Sequence, residues 1–187
     1  MRSYQMTALF GYFGVPGPDF LLRDYGRRAF PVLEQQLGET RPGEALCLDF
    51  TGVSVMDTSF GDEAVLELAL GLVDDRYGDR FLILHEPSPA TVENMEGTIA
   101  RRKAKVAILV KRDGQLGLIG EVEPNLLDAW RRVSSAGTLT ARQLADELGL
   151  EINTASMRLH KLYRLRLVAR EEEVSASGRQ HIYRVPS

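Results

Sequence analysis

Asp57, Thr58 and Ser59 stand side by side between the run "LDFTGVSVM" and a greasy segment that begins at Phe60. Three polar side chains at such a junction offer two kinds of chemistry. Their oxygens can accept backbone N–H bonds at a helix start, and Ser59 with Asp62 fits the Ser-x-x-Asp form of a capping box. A hydroxyl there is also a place for a phosphoryl group, since a helix start favours negative charge. Asp57, Asp62 and Glu63 would repel such a group, and no Lys or Arg lies nearby in sequence. Asp49 and Asp57 both fall near strand ends, on the side where α/β domains place ligands, so a carboxylate pair serving a metal or a nucleotide reaction is a further option.

A second set of polar side chains lies in "NTASMRLHKLYR", residues 153–164. At roughly 100° per residue, Ala155, Leu159 and Leu162 share one helix face and belong to a core. The opposite face carries Asn153, Met157, His160, Lys161 and Arg164, with Ser156 at its side, Arg158 on a flank and Thr154 in the first turn. Amide and hydroxyl groups can hydrogen-bond base edges, and Lys or Arg can reach phosphates. Arg179, beyond this helix, is expected at the tip of a loop with Ser177 and Gly178, where it would meet a phosphate or a minor groove. The three histidines, His85, His160 and His181, lack the spacing of metal ligands. "GYFGVPGPD" has neither the Lys-Ser/Thr of a phosphate loop nor the glycine spacing of a dinucleotide fold. No nucleophile–base–acid set is visible. We therefore expect no enzyme activity, no metal and no cofactor.

The elements that must hold these groups follow from pattern. Thr7 to Val15 reads as a strand rich in Phe and Tyr, closed by the turn Val15-Pro16-Gly17-Pro18. Leu21 to Leu37 is helical by its spacing, with a kink or split expected at Pro31. Glu44 to Phe50 and Arg80 to His85 are short unalternating runs, as in strands buried on both faces. Phe60 to Val73 is predicted helical, with Asp62, Glu63 and Glu67 off its apolar stripe. Ser88-Pro89 opens a further helix that ends near Arg102. Val106–Lys111 and Leu116–Ile119 form a hairpin across Asp113-Gly114. Strands alternating with helices predict an α/β domain over residues 1–120.

Residues 121–187 change pattern. Helices are predicted over Pro124–Val133, over Ala141–Leu148 capped by Thr140 and stopped by Gly149, and over Thr154–Leu165 capped by Asn153. Strands over Leu167–Glu171 and Gln180–Val185 follow. Two helices around a tight glycine turn, then a hairpin, make a helix-turn-helix with a wing.

Two resemblances rest on these residues. "TARQLADELGLEINTASMRLHKLYRLRLVAR" and "GRQHIYRV" resemble bacterial winged-helix transcription regulators over about residues 124–185. "LDFTGVSVMDTSFGDEAVLELA" resembles the STAS domain of anti-sigma-factor antagonists, and more closely the STAS-like domains of unknown function found in bacterial and phage proteins. The first resemblance implies double-stranded DNA as partner, and a homodimer reading two half-sites would supply the contacts that one weakly basic module lacks. The second implies a mixed-sheet domain that senses a signal or binds a protein partner, with Asp57, Thr58 and Ser59 as the phosphorylation or partner site and Thr58 at the position that relatives phosphorylate. The glycine that usually follows the Ser pair is Phe60 here.

Bulk properties bound the rest. The chain has 187 residues and a net charge of −3. Residues 1–120 hold 13 Lys+Arg against 17 Asp+Glu, and residues 121–187 hold 10 against 9. The second part is barely basic, which predicts weak nonspecific attraction to DNA. The single Cys47 excludes a disulfide framework and fits a buried hydrophobe in a reducing cytoplasm. No signal-peptide pattern and no run of the roughly 18 apolar residues of a membrane helix is present. The expectation is a cytoplasmic, DNA-binding transcription regulator. The alternative is a protein–protein adaptor of the anti-sigma antagonist type, switched by phosphorylation.

Overall fold

The computed structural model describes residues 1–14, 17–175 and 178–187. The chain divides into two compact units, Met1–Glu121 and Val122–Ser187.

The first unit begins with β1 (Arg2–Gln5), a six-residue helix α1 (Ala8–Phe13), the two-residue strand β2 (Asp19–Phe20) and the long helix α2 (Arg23–Gly38). Then come β3 (Ala45–Asp49), β4 (Val55–Met56), α3 (Thr58–Gly61), a π-helical turn (Asp62–Leu66) and α4 (Glu67–Val73). The unit closes with β5 (Phe81–His85), α5 (Pro89–Arg102), β6 (Ile108–Arg112) and β7 (Gln115–Ile119). Five strands form one sheet in the order β1-β3-β5-β6-β7. The first four run parallel, and β7 returns antiparallel to β6. The fold is mixed α/β.

Local chemistry explains most element ends. Ser88 accepts the Thr91 N–H ahead of Pro89, and Lys103 leaves α5 in the left-handed region after Arg101 and Arg102. Asp113 and Gly114 both have positive φ, 52° and 74°, as a tight two-residue hairpin turn requires. The unalternating runs behave as central strands: Ala45, Leu46, Cys47 and Leu48 are buried, as are Phe81, Leu82, Ile83 and Leu84.

Three expectations fail. The segment after Thr7 is helix, not strand, and the first strand lies earlier, at Arg2–Gln5. Helical spacing buries Leu9 and turns Phe10 and Phe13 toward one core, where Phe10 stacks on Phe20 and Phe13 on Tyr25. Gly14, at φ 68°, ends the turn. Val15 and Pro16 of the expected turn lie outside the described residues. Helix α2 is one element from Arg23 to Gly38 with Pro31 inside it, so the chain is not split there. Asp62 does not sit off the apolar stripe: at 4 % exposure it is among the buried residues.

The second unit is α6 (Pro124–Ala136), β8 (Thr138–Thr140), α7 (Ala141–Leu148), α8 (Ile152–Arg164), β9 (Ala169–Ser175) and β10 (Gly178–Arg184). Its three strands form an antiparallel sheet in the order β8-β10-β9. Thr140 and Gln143 complete a capping box on α7, and Gly149 closes it at φ 63°. Leu126, Ala129, Trp130 and Val133 of α6 are buried, as are Leu144 and Ala145 of α7 and Ala155, Leu159 and Leu162 of α8. Among the described residues, Trp130 Nε1 is a buried nitrogen without a hydrogen-bond partner.

Candidate functional sites: the Asp57 turn and the exposed face of α8

The Asp57 turn is assembled by the smallest sheet of the fold. β2 and β4 pair in parallel, Asp19 with Val55 and Phe20 with Met56. Both strands then feed a helix, so the amino ends of α2 and α3 lie together. Asp57 N–H donates to the Phe20 carbonyl at 2.8 Å. Its carboxylate serves both helices: Oδ1 accepts from the Phe60 N–H at 2.7 Å and Oδ2 from the Leu22 N–H at 3.4 Å. Leu22 is held at φ 82°, a conformation that a branched side chain rarely adopts, and remains 59 % exposed. Asp57 is thus the N-cap. Ser59 and Asp62 do not form the expected Ser-x-x-Asp box, because the helix begins one residue before Ser59.

Helix α5 fixes the turn from behind. The Met56 N–H donates to the buried Thr91 hydroxyl at 3.0 Å, Asn94 Nδ2 donates to the Met56 carbonyl at 2.9 Å, and Thr98 donates to the carbonyls of Asn94 and Thr58. Phe60 buries its ring against Phe20, centroids 4.6 Å apart. Thr58 and Ser59 are half-buried.

The acids beyond the turn carry an ion-pair cluster that the sequence conceals. Asp62 lies on the π-helical turn, 3.4 Å from Arg23, 3.5 Å from Arg101 and 3.2 Å from Arg102. Glu63 pairs with Arg23 and Arg27, and Glu67 with Arg102 at 2.8 Å. Burial would raise the Glu63 carboxyl, but Arg23 and Arg27 hold it below the usual glutamate range. Four arginines from α2 and α5 therefore face carboxylates that look unopposed in sequence.

Asp49 and Asp57 do not share partners. Asp49 Oδ2 accepts from Gln5 Nε2 at 2.7 Å, and its Oδ1 accepts from the Thr51 N–H at 2.9 Å and lies 3.3 Å from His85 Nδ1. Burial pushes the Asp49 carboxyl up, yet Thr51, His85 and Gln5 together leave it below the ordinary value. Burial pushes the Cys47 thiol up. Among the described residues no group of three or more His, Cys, Asp and Glu is placed to hold a metal.

In the second unit, α8 packs Ala155, Leu159 and Leu162 inward, and leaves Asn153, Ser156, Met157, His160, Lys161 and Arg164 exposed. Thr154 and Arg158 are half-buried. The helix starts earlier than expected: Glu151, not Asn153, is the N-cap, and it makes no side-chain cap bond. Asn153 is thereby released from a capping role and points its amide outward from the first turn. The basic residues differ among themselves. Arg158 Nη1 donates a long 3.5 Å bond to the Asn125 carbonyl, and Lys161 lies 4.0 Å from the Glu123 carboxylate, so both lean toward the amino end of α6. Arg164 projects from the last turn.

The hairpin is acidic along β9. Glu171, Glu172 and Glu173 are exposed, and cross-strand partners answer them: Arg184 to Glu171 at 2.9 Å, Arg179 to Glu172 at 3.6 Å and Gln180 to Glu173 at 2.6 Å. Arg179 is not at a loop tip. It lies within β10, opposite Val174. Ser177, expected at the tip, lies outside the described residues. Sequence reasoning also overlooks Arg170, which stacks 4.4 Å over the Tyr163 ring and ties β9 to α8.

No helix among the described residues is long and apolar enough to cross a membrane. No protein-family model matches the chain, and no curated protein matches it.

Proposed function

We propose that the chain is a DNA-binding transcription regulator. Its second unit is a winged helix-turn-helix whose α8 enters the major groove. Its first unit is a STAS-like domain that binds a protein partner around the Asp57 turn. The observation that carries the reading is the exposed stripe Asn153, Met157, His160 and Arg164 on a helix whose other face is packed by Leu159 and Leu162. A helix presented this way, with its partner helix α7 behind a tight glycine turn, has the form that reads base edges from its amino-terminal half. A homodimer would supply the phosphate contacts that one weakly basic module lacks. Gel shifts across a salt series test this. Lys161→Ala and Arg164→Ala weaken binding and each lowers the salt slope by about one unit if each side chain neutralises one phosphate. Binding that neither substitution changes refutes the assignment of α8.

A second reading has its own observation. Arg158 and Lys161 lean onto α6, and Arg179 and Arg184 of the hairpin are paired with Glu172 and Glu171, so few cations are left to meet phosphates. An adaptor that docks a protein through this unit, with Thr58 as its phosphorylation switch, fits those charges. The arginines around Asp62 and Glu63 relieve the repulsion that a phosphate at Thr58 would otherwise meet. A pull-down with nuclease treatment separates the two readings: the regulator retains duplex before treatment, whereas the adaptor retains its partner afterwards and carries no DNA.

A further inference from the structure

The exposed stripe of α8 also carries a base preference, an inference that rests on the DNA-binding reading. The amino-terminal half of a recognition helix is the part that reaches base edges. Here that half is Glu151 to Met157, and it contains no Arg or Lys. The two basic residues that come next, Arg158 and Lys161, lean toward Asn125 and Glu123 of the α6 end. Arg164 stands in the last turn, nearer the backbone than the bases in such a docking. The helix therefore lacks, where it matters, the bidentate Arg or Lys contact that most often selects guanine.

What it offers instead is specific in another direction. Asn153, freed from capping, presents an amide that matches the N6 and N7 pattern of adenine. Met157 is 63 % exposed, an unusual state for a methionine on a helix with a well-filled core. An exposed thioether one turn beyond an amide is a surface for the C5-methyl of thymine, the apolar group of the major groove. Ser156, beside them, accepts or donates to either base pair. The two readers stand four residues apart on one stripe, so both meet the same short step of the groove.

We infer that α8 selects A·T-rich half-sites, with Asn153 reading adenine and Met157 contacting a thymine methyl. The test is selection of the full chain against a random duplex pool, followed by replacement of each selected thymine with deoxyuracil, which removes only the methyl. The expected result is enrichment of A·T steps at the half-site core. One uracil position then weakens binding about fourfold, the worth of one buried methyl group. Met157→Ala abolishes that uracil penalty, while Asn153→Ala relaxes the choice at the adjacent adenine. A pool that enriches guanine at the core, or a site indifferent to uracil at every position, overturns the inference and leaves DNA binding standing. Duplex retained without enrichment of any sequence likewise overturns the base preference alone, and a pool from which no duplex is retained at any salt concentration overturns DNA binding and the base preference with it.

Discussion

Gly26 sits where α2 crosses the start of α3, and the crossing leaves no room for a side chain. A Cβ at this position falls 2.9 Å from the Phe60 carbonyl oxygen, 3.0 Å from Phe60 Cα and 3.0 Å from Glu63 Cβ. Two of those atoms are backbone, and the residues on either side of Phe60 are tied to α5, Thr58 through its carbonyl to Thr98 and Asp62 through its carboxylate to Arg101 and Arg102, which opposes a retreat. Gly26→Ala gains about 0.5–1 kcal/mol of helix propensity. It loses about 1–3 kcal/mol to overpacking. The net is a loss of about 1 kcal/mol, being the midpoint of the second range less that of the first. Gly97 is the control. It lies in α5, in open space, and a Cβ at this position meets nothing within 4 Å. Gly97→Ala keeps the propensity gain and stabilises by about 0.5–1 kcal/mol. Hydrogen exchange at the buried strands Ala45–Asp49 and Phe81–His85 reads the stability of this unit directly. The two variants should move in opposite directions. Equal stabilisation by both would refute the claim that the α2–α3 contact depends on a missing Cβ.

Other perturbations follow from the same geometry. Asp57→Ala removes the acceptor for the Phe60 and Leu22 N–H groups and should cost about 1–2 kcal/mol, with Asp57→Asn costing less, read by urea unfolding and by faster exchange of the Phe60 amide. Asp62→Ala should cost about 1–2 kcal/mol, less than a fully buried pair, because its arginine partners are 42–52 % exposed and rehydrate when the carboxylate is gone. A cost no greater than that of Arg76→Ala on the surface would show the cluster to be incidental. The Asp49 carboxyl has a lower folded-state value than its unfolded one, so its contribution is complete above an unfolded value of about 4 and disappears as pH falls through the folded value. Asp49→Asn should therefore flatten the acid limb of a pH–stability curve below about pH 4 and leave its shape near neutrality unchanged.

Features decided by a few adjacent residues are legible in the sequence. The Thr140–Gln143 capping box, the left-handed Gly149, the Ser88-Pro89 helix start and the Asp113-Gly114 hairpin each satisfy their own backbone groups within four residues. Buried strands are equally legible, since Ala45–Leu48 and Phe81–Leu84 carry no polar residue to alternate. What depends on distant partners is not. The aromatic spacing of Leu9, Phe10 and Phe13 serves a helix only because Phe20 and Tyr25 arrive to stack on it. Asp62 reads as a solvated charge because its three arginines lie about 40 residues away in either direction. The π-helical turn that points it inward has no sequence signal. In α8 the exposed and buried faces follow from periodicity, but the start of the helix does not. Asn153 looks like a cap by type, while the chain turns helical at Ile152 behind an uncapped Glu151. The lean of Arg158 and Lys161 toward α6 is likewise a property of packing rather than of their own segment.

The chain has one tryptophan, and its indole lies on α6, the helix against which α8 packs. All indole emission therefore originates within the second unit. A buried ring with an unanswered N–H should emit at short wavelength and shift red when that unit opens. The protein carries its own optical gauge. A fluorescence titration follows events near α8 without any label, whereas the five-stranded sheet carries no tryptophan and must be followed by another signal. Two probes that disagree during denaturation would then mark two melting events rather than a flawed experiment.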